Sequence, residues 1–261
     1  MQTHSRAGET QRPVKMAGVL FWNSVLVALH SVDVRGIDRA PSLLPLLDVL
    51  HYPGSQRSLA ASYVTLPPTL TTAQANALGI TTQIATFATG GFATDSGVNI
   101  RRVAEQVNGA ILRPGETFSL NGYTGPRNAA TGYVDAGIID HGRPSRGIGG
   151  GISQFATTLY NATYFAGMTD IQHKEHSYYI SRYPAAREAT VVEGAIDVKF
   201  RDDAPTGILI QTAWTPTSIT VTLWGTKHVD VESITGPRTD FIDQKTETIT
   251  GQPCTATAGE R

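Results

Sequence analysis

The sequence predicts an α+β domain, a mainly antiparallel sheet packed against two principal helices. Three observations lead there. Two segments, residues 96–107 and 153–166, place apolar residues at helical spacing. The stretches around them are short, alternate apolar with polar residues, and are divided by Gly, Pro and Asn. "GILIQTAW" and "SITVTLWG", joined by Pro216-Thr217, read as a hairpin, which is an antiparallel unit. An irregular N-terminal segment, residues 1–68, and a polar tail, residues 229–261, flank the domain.

The elements follow in order. "TLTTAQANALGI" has Thr71 or Thr72 as a cap and Gly79 as a stop, giving a short helix that leads into a strand over 81–89. In "SGVNIRRVAEQVNGAIL", Ile100, Val103, Ala104 and Val107 share a helical face. Ser96 or Asn99 can cap that helix, and Asn108-Gly109 ends it. Pro114-Gly115 suits a type II turn between short strands. Residues 132–141 read as a strand with a bend. Phe155, Leu159, Ala162 and Ala166 define a buried helix stopped by Gly167. "HSYYISRY", "ATVVEG" and "AIDVKF" then read as strands.

Bulk properties exclude some functions. The chain has 261 residues, 40% of them hydrophobic and 16% charged, which suits an ordinary core. A net charge of -1 with no basic stripe argues against nucleic-acid binding. The single cysteine, Cys254, cannot form an internal disulfide. Residues 16–30 are apolar after a basic start, a pattern of an export signal or membrane anchor, although Asn23, Ser24 and His30 interrupt it.

The most distinctive stretch is "GIGGGISQFATTLYN", residues 147–161. Together with "NIRRVAEQVNGAILRPGETFSLNGYTG", "GYVDAGIIDHGRPSRGIGGG", "HKEHSYYISRYP", "REATVV" and "AIDVKFRD" it resembles the VanW family over residues 82–228, a family named for a protein of vancomycin-resistance gene clusters. The preceding residues, 69–81, resemble the end of a peptidoglycan-binding module. Many members of that family have Cys where this chain has Ser153. The usual Tyr-Pro-x-Gly is Tyr183-Pro184-Ala185-Ala186 here. The resemblance implies an extracytoplasmic, membrane-anchored or cell-wall-associated protein, whose partners would be peptidoglycan or muropeptides. It implies no cofactor and no established reaction.

The residues themselves offer a candidate site. Glycines reach positive φ and let other groups approach closely, and a helix N-terminus offers unpaired amides. Gly149, Gly150 and Gly151, with Gln154, Thr157 and Arg143, are therefore candidate ligand-binding residues. Ser153 reads as a helix cap, a ligand-binding hydroxyl or a nucleophile. For the last reading, His176 would be the base and Asp197 its orienting carboxylate, in the chain order of papain-like hydrolases. Thr157 and Asn161 extend a polar stripe from Ser153. His173 and His176 form His-x-x-His, but no third ligand stands at metal-site spacing, so no metal is expected. Arg127 and Arg146, like Arg143, lie in glycine-rich loops and suit a carboxylate ligand.

Overall fold

The computed structural model describes residues 70–140, 143–177 and 179–237, and the backbone of four short strands before them. The chain divides into two compact units, residues 1–77 and 78–261.

In the first unit, β1 (Val19–Trp22) and β2 (Val25–Ala28) pair antiparallel, as do β3 (Val34–Ile37) and β4 (Tyr63–Leu66). The stretch expected to be a signal or anchor thus contains a hairpin, and residues 33–68, read as irregular, contain a strand pair. No helix among the described residues is long and apolar enough to cross a membrane. Helix α1 (Thr72–Ala77) begins as expected. Thr71 Oγ1 accepts from the Gln74 amide (3.2 Å), and Gln74 Oε1 accepts from the Thr71 amide (2.8 Å). Cys254 lies outside the described residues.

The second unit is built on a four-stranded antiparallel sheet in the order β5-β13-β12-β6. These strands are β5 (Thr82–Gly90), β6 (Ala110–Leu112), β12 (Ile208–Trp214) and β13 (Ser218–Gly225). The alternation in β13 fixes its register, because Ile219, Val221 and Leu223 are wholly buried and their neighbours are not. Two helices of 14 residues each, α2 (Thr94–Val107) and α4 (Ile152–Phe165), cover that face. Their apolar stripes, Ile100, Val103 and Val107 on one and Phe155, Ala156 and Leu159 on the other, are fully buried in a common core.

The ends of α2 differ from expectation in one respect. Its N-cap is Ala93, with no side-chain bond, so Ser96 and Asn99 lie inside the helix and do not cap it. Asn99 is buried and is occupied by tertiary bonds. The C-terminal end is as expected: Asn108 caps, and Gly109 follows at φ 86°.

Smaller elements surround this frame. β7 (Thr117–Ser119) follows β6 after a turn in which the Glu116 amide donates to Arg113 O (2.9 Å) and Gly115 takes φ 80°. It forms a second sheet, β10-β11-β7, with β10 (Thr169–Gln172) and β11 (Lys199–Arg201). Helix α3 (Leu120–Thr124) continues from β7. A hairpin of β8 (Asp135–Asp140) and β9 (Arg143–Ile148) leads into the glycine run.

Residues 173–198 correct the sequence reading. "HSYYISRY" is not a strand: its described residues form no ladder, and Tyr183 N closes a turn on Ile180 O (2.9 Å). His176 and Tyr183 are both buried, yet they stand seven residues apart. An odd separation would put them on opposite faces of a regular strand, so the chain must turn to bury both. "ATVVEG" contributes one isolated bridge, Val192 to Ile196, and in "AIDVKF" only the last two residues join β11.

Candidate functional site

The glycine run is a packing device. Gly149 and Gly151 take φ 83° and 85°, a region that disfavours side chains. A Cβ on Gly150 would stand 2.4 Å from Ala136 O and 2.6 Å from Gly137 O, and one on Gly151 would meet Ser96 Cβ at 2.4 Å. The corner is thus pressed between β8 and α2. Asn99 fastens it: Nδ2 donates to Gly150 O and Val134 O (both 2.9 Å), and Oδ1 accepts from the Val134 amide (2.8 Å). The amides of Gly149 and Gly150 donate to Val134 O and Gly147 O. Gly151, left-handed, is the N-cap of α4, and no side chain caps that helix. Ser153 is therefore inside the first turn and is not a cap.

From this corner α4 runs inward with a buried polar face. Ser153 Oγ accepts from the Val191 amide (3.3 Å). One turn on, the Thr157 hydroxyl donates to Ala189 O and accepts from the Ala189 amide, each at 3.0 Å. Asn161 Nδ2 donates to Arg187 O (2.6 Å) and to Thr157 O (2.8 Å). Steps of four along the helix meet steps of two along the segment 187–191, in the opposite direction. Four helical residues rise about 6.0 Å and two extended residues about 6.6 Å, so the spacings nearly agree. The polar residues of the motif thus hold a strap of main chain. Ala189 is wholly buried beneath it. Gln154, also buried, donates through Nε2 to Gly90 O (2.8 Å) and Thr89 Oγ1 (3.2 Å), tying α4 to the end of β5.

The strap ends in a buried acid-base pair that the sequence reading missed. His176 Nδ1 and Glu188 Oε2 share a hydrogen across 2.9 Å, with side chains only 4% and 8% exposed. The ring stacks on Tyr183 (5.6 Å between centroids), whose hydroxyl reaches Gln154 Oε1 at 3.4 Å. Burial disfavours both charges. It drives the His176 pKa down to about 4, with nearby Arg182 adding to the effect, and drives Glu188 up to about 7, helped by Glu175. The pair therefore holds a neutral imidazole at neutral pH. Its Nε2 makes no hydrogen bond to the described residues. The signal for Glu188 was a lone carboxylate in "REATVV", a stretch otherwise fit for burial.

Asp197 is engaged elsewhere. It accepts from Ser119 Oγ (2.5 Å) and from the amides of Asn121 (2.9 Å) and Val198 (2.8 Å). No hydrogen bond joins Ser153, His176 and Asp197 to one another; the carboxylate that orients His176 is Glu188. Arg143 pairs in register with Asp140 at the far end of the β8–β9 hairpin, five residues from Ile148 and so about 16 Å along the strand. Arg127 donates to Asn121 Oδ1 (2.5 Å) and Thr124 Oγ1 (3.2 Å), and Arg146 is ion-paired with Asp95 and Asp135. His173 bonds Asp170 (2.5 Å) and stacks on Tyr160. Among the described residues no group of three or more His, Cys, Asp or Glu side chains is placed to hold a metal ion.

Comparison with known proteins agrees with this geometry's most specific motif. The family model described as "VanW like protein" matches residues 95–224. The chain is 36% identical over 132 residues to the uncharacterized protein YoaR of Bacillus subtilis (strain 168), covering 51% of this chain and 44% of that protein. It is 30% identical over 112 residues to the vancomycin B-type resistance protein VanW of Enterococcus faecalis (strain ATCC 700802 / V583), covering 40% of each. The match thus spans less than half the length of either relative. No solved structure matches. Through the domain built on α2, α4 and their sheet, the chain belongs to the VanW family.

Proposed function

We propose that this VanW-type domain is a cell-envelope module that binds peptidoglycan or its peptide stems, carried outside the cytoplasm and held at the envelope through the N-terminal segment. The observation that supports a ligand site is the His176–Glu188 pair: an imidazole held neutral by burial and oriented through Nδ1 by Glu188, which leaves Nε2 outside the pair to hydrogen-bond a polar ligand group. Binding is favoured over hydrolysis because the Ser153 hydroxyl accepts a main-chain amide and has no base bonded to it. The relative named as a vancomycin B-type resistance protein directs attention to the cell wall.

The second reading is a cell-wall peptide hydrolase or acyl-transferase using Ser153, His176 and Asp197. One experiment separates the two. Purified protein is mixed with muropeptides, binding is followed by calorimetry and products by mass spectrometry. Binding without turnover, kept in Ser153→Ala and lost in His176→Gln, is expected. Turnover that disappears in Ser153→Ala and rises in Ser153→Cys would establish the enzyme instead. Absence of any binding would remove the module reading.

A further inference from the structure

On a different part of the domain, α2 and the end of β12 enclose a cleft of about 400 Å³ lined by Arg101, Ala104, Glu105, Asn108, Thr212 and Trp214. That is a common size for a small-molecule site, about 300–1,000 Å³. None of these residues belongs to the strap or to the His176–Glu188 pair. Trp214 is part-buried, and its Nε1 is enclosed with no hydrogen-bond partner. Indole N–H groups that are buried usually find an acceptor; this one is sealed and has none, so it is the ring of Trp214 that the cleft presents. The Arg101 guanidinium lies 5.5 Å over the indole and bonds Glu105 at 2.8 Å, with side chains 59% and 51% exposed. Both contacts are weak at a surface, so Arg101 is free to swing from the ring. Asn108 uses Oδ1 to accept from the Thr212 amide (2.9 Å), while its Nδ2 donor has no partner among the described residues.

We propose that this cleft is a binding site for a neutral saccharide, a pyranose ring set against Trp214 with its hydroxyls bonded by Glu105, Asn108 and Arg101. The chemistry selects the ligand in three ways. A flat aromatic wall suits the C–H face of a sugar ring. The lining carries both donors and acceptors, in Arg101, Glu105 and Asn108, which suits hydroxyl groups, each able to do both. The arginine and the glutamate cancel, so neither an anion nor a cation is preferred. The proposal does not rest on the peptide-binding reading, since its probes contain no peptide.

The test uses the full chain with tri-N-acetylchitotriose and with maltotriose, followed by tryptophan fluorescence and ligand-observed NMR. Saturable binding of either trisaccharide at millimolar concentration is expected. Trp214→Phe should remove the fluorescence change and weaken binding roughly tenfold. Glu105→Ala, an exposed change that leaves the fold intact by circular dichroism, should weaken it roughly fivefold. No saturable binding of either sugar, or equal binding by wild type and Glu105→Ala, would overturn the proposal.

Discussion

Thr157 is the centre of the strap, and replacing it with valine isolates its hydroxyl. The side chain is wholly buried, and its oxygen serves both the amide and the carbonyl of Ala189, itself wholly buried. Valine keeps the bulk and leaves two main-chain groups without partners. An orphaned buried group costs about 1–3 kcal/mol, so the pair should cost about 3 kcal/mol even with partial relaxation. Domain stabilities are about 5–15 kcal/mol, so the variant should fold but unfold early. Thr157→Ser keeps both bonds and removes one methyl, for about 1 kcal/mol. Urea denaturation followed by circular dichroism measures both, provided the slopes agree. A Thr157→Val loss no larger than that of Thr157→Ser would refute the claim that this hydroxyl holds the strap.

Three further outcomes are expected. Ala186 sits at φ 59°, the left-handed region that glycine enters without a Cβ clash, so Ala186→Gly should raise stability by about 1 kcal/mol in the same urea assay. In Asp197→Asn the three donors facing the carboxylate lose their charged acceptor, which should lower stability by about 2 kcal/mol; the titration of His176, read by NMR, should not move, whereas a shift would restore Asp197 as its orienting group. The third concerns pH. Between its ordinary 6.5 and its folded value of about 4, His176 binds fewer protons folded than unfolded, so its contribution falls as pH drops through that window. Glu188, raised from 4.5 to about 7, binds more protons folded, so its contribution falls as pH rises through its own window. From pH 4.5 to 6.5 the two slopes oppose and the wild-type profile should be nearly flat. Glu188→Gln leaves His176 alone, and stability should then drop from pH 6.5 to 4 by at most about 3 kcal/mol. A flat profile in that variant would show that burial does not hold the imidazole neutral.

Periodic elements were legible in the sequence because their apolar residues face one core. The stripes of α2 and α4 and the alternation of β13 are local patterns with one solution. The helix caps were less so: Ser96 and Asn99 have the right chemistry for a cap, but the core draws Asn99 inward to fasten Val134 and Gly150, which no local rule contains. The region after β10 failed for a related reason. Alternating residues in "HSYYISRY" satisfy the strand pattern, yet the inward pair is spaced by an odd number, and its partners, Glu188 and Gln154, lie outside the segment on either side. The stripe of Ser153, Thr157 and Asn161 was visible as a stripe. What it touches was not, because its partner is bare main chain and leaves no mark on side-chain identity.

The near agreement between helix rise and extended-chain rise works as a vernier. Each step leaves about 0.6 Å unmatched, so two steps accumulate about 1.2 Å, and a fourth contact would fall out of reach. The length of the grip is therefore set by arithmetic. A single residue inserted between Arg187 and Val191 would put the rungs on its two sides out of register with each other, so this short stretch should tolerate changes of side chain far better than changes of length.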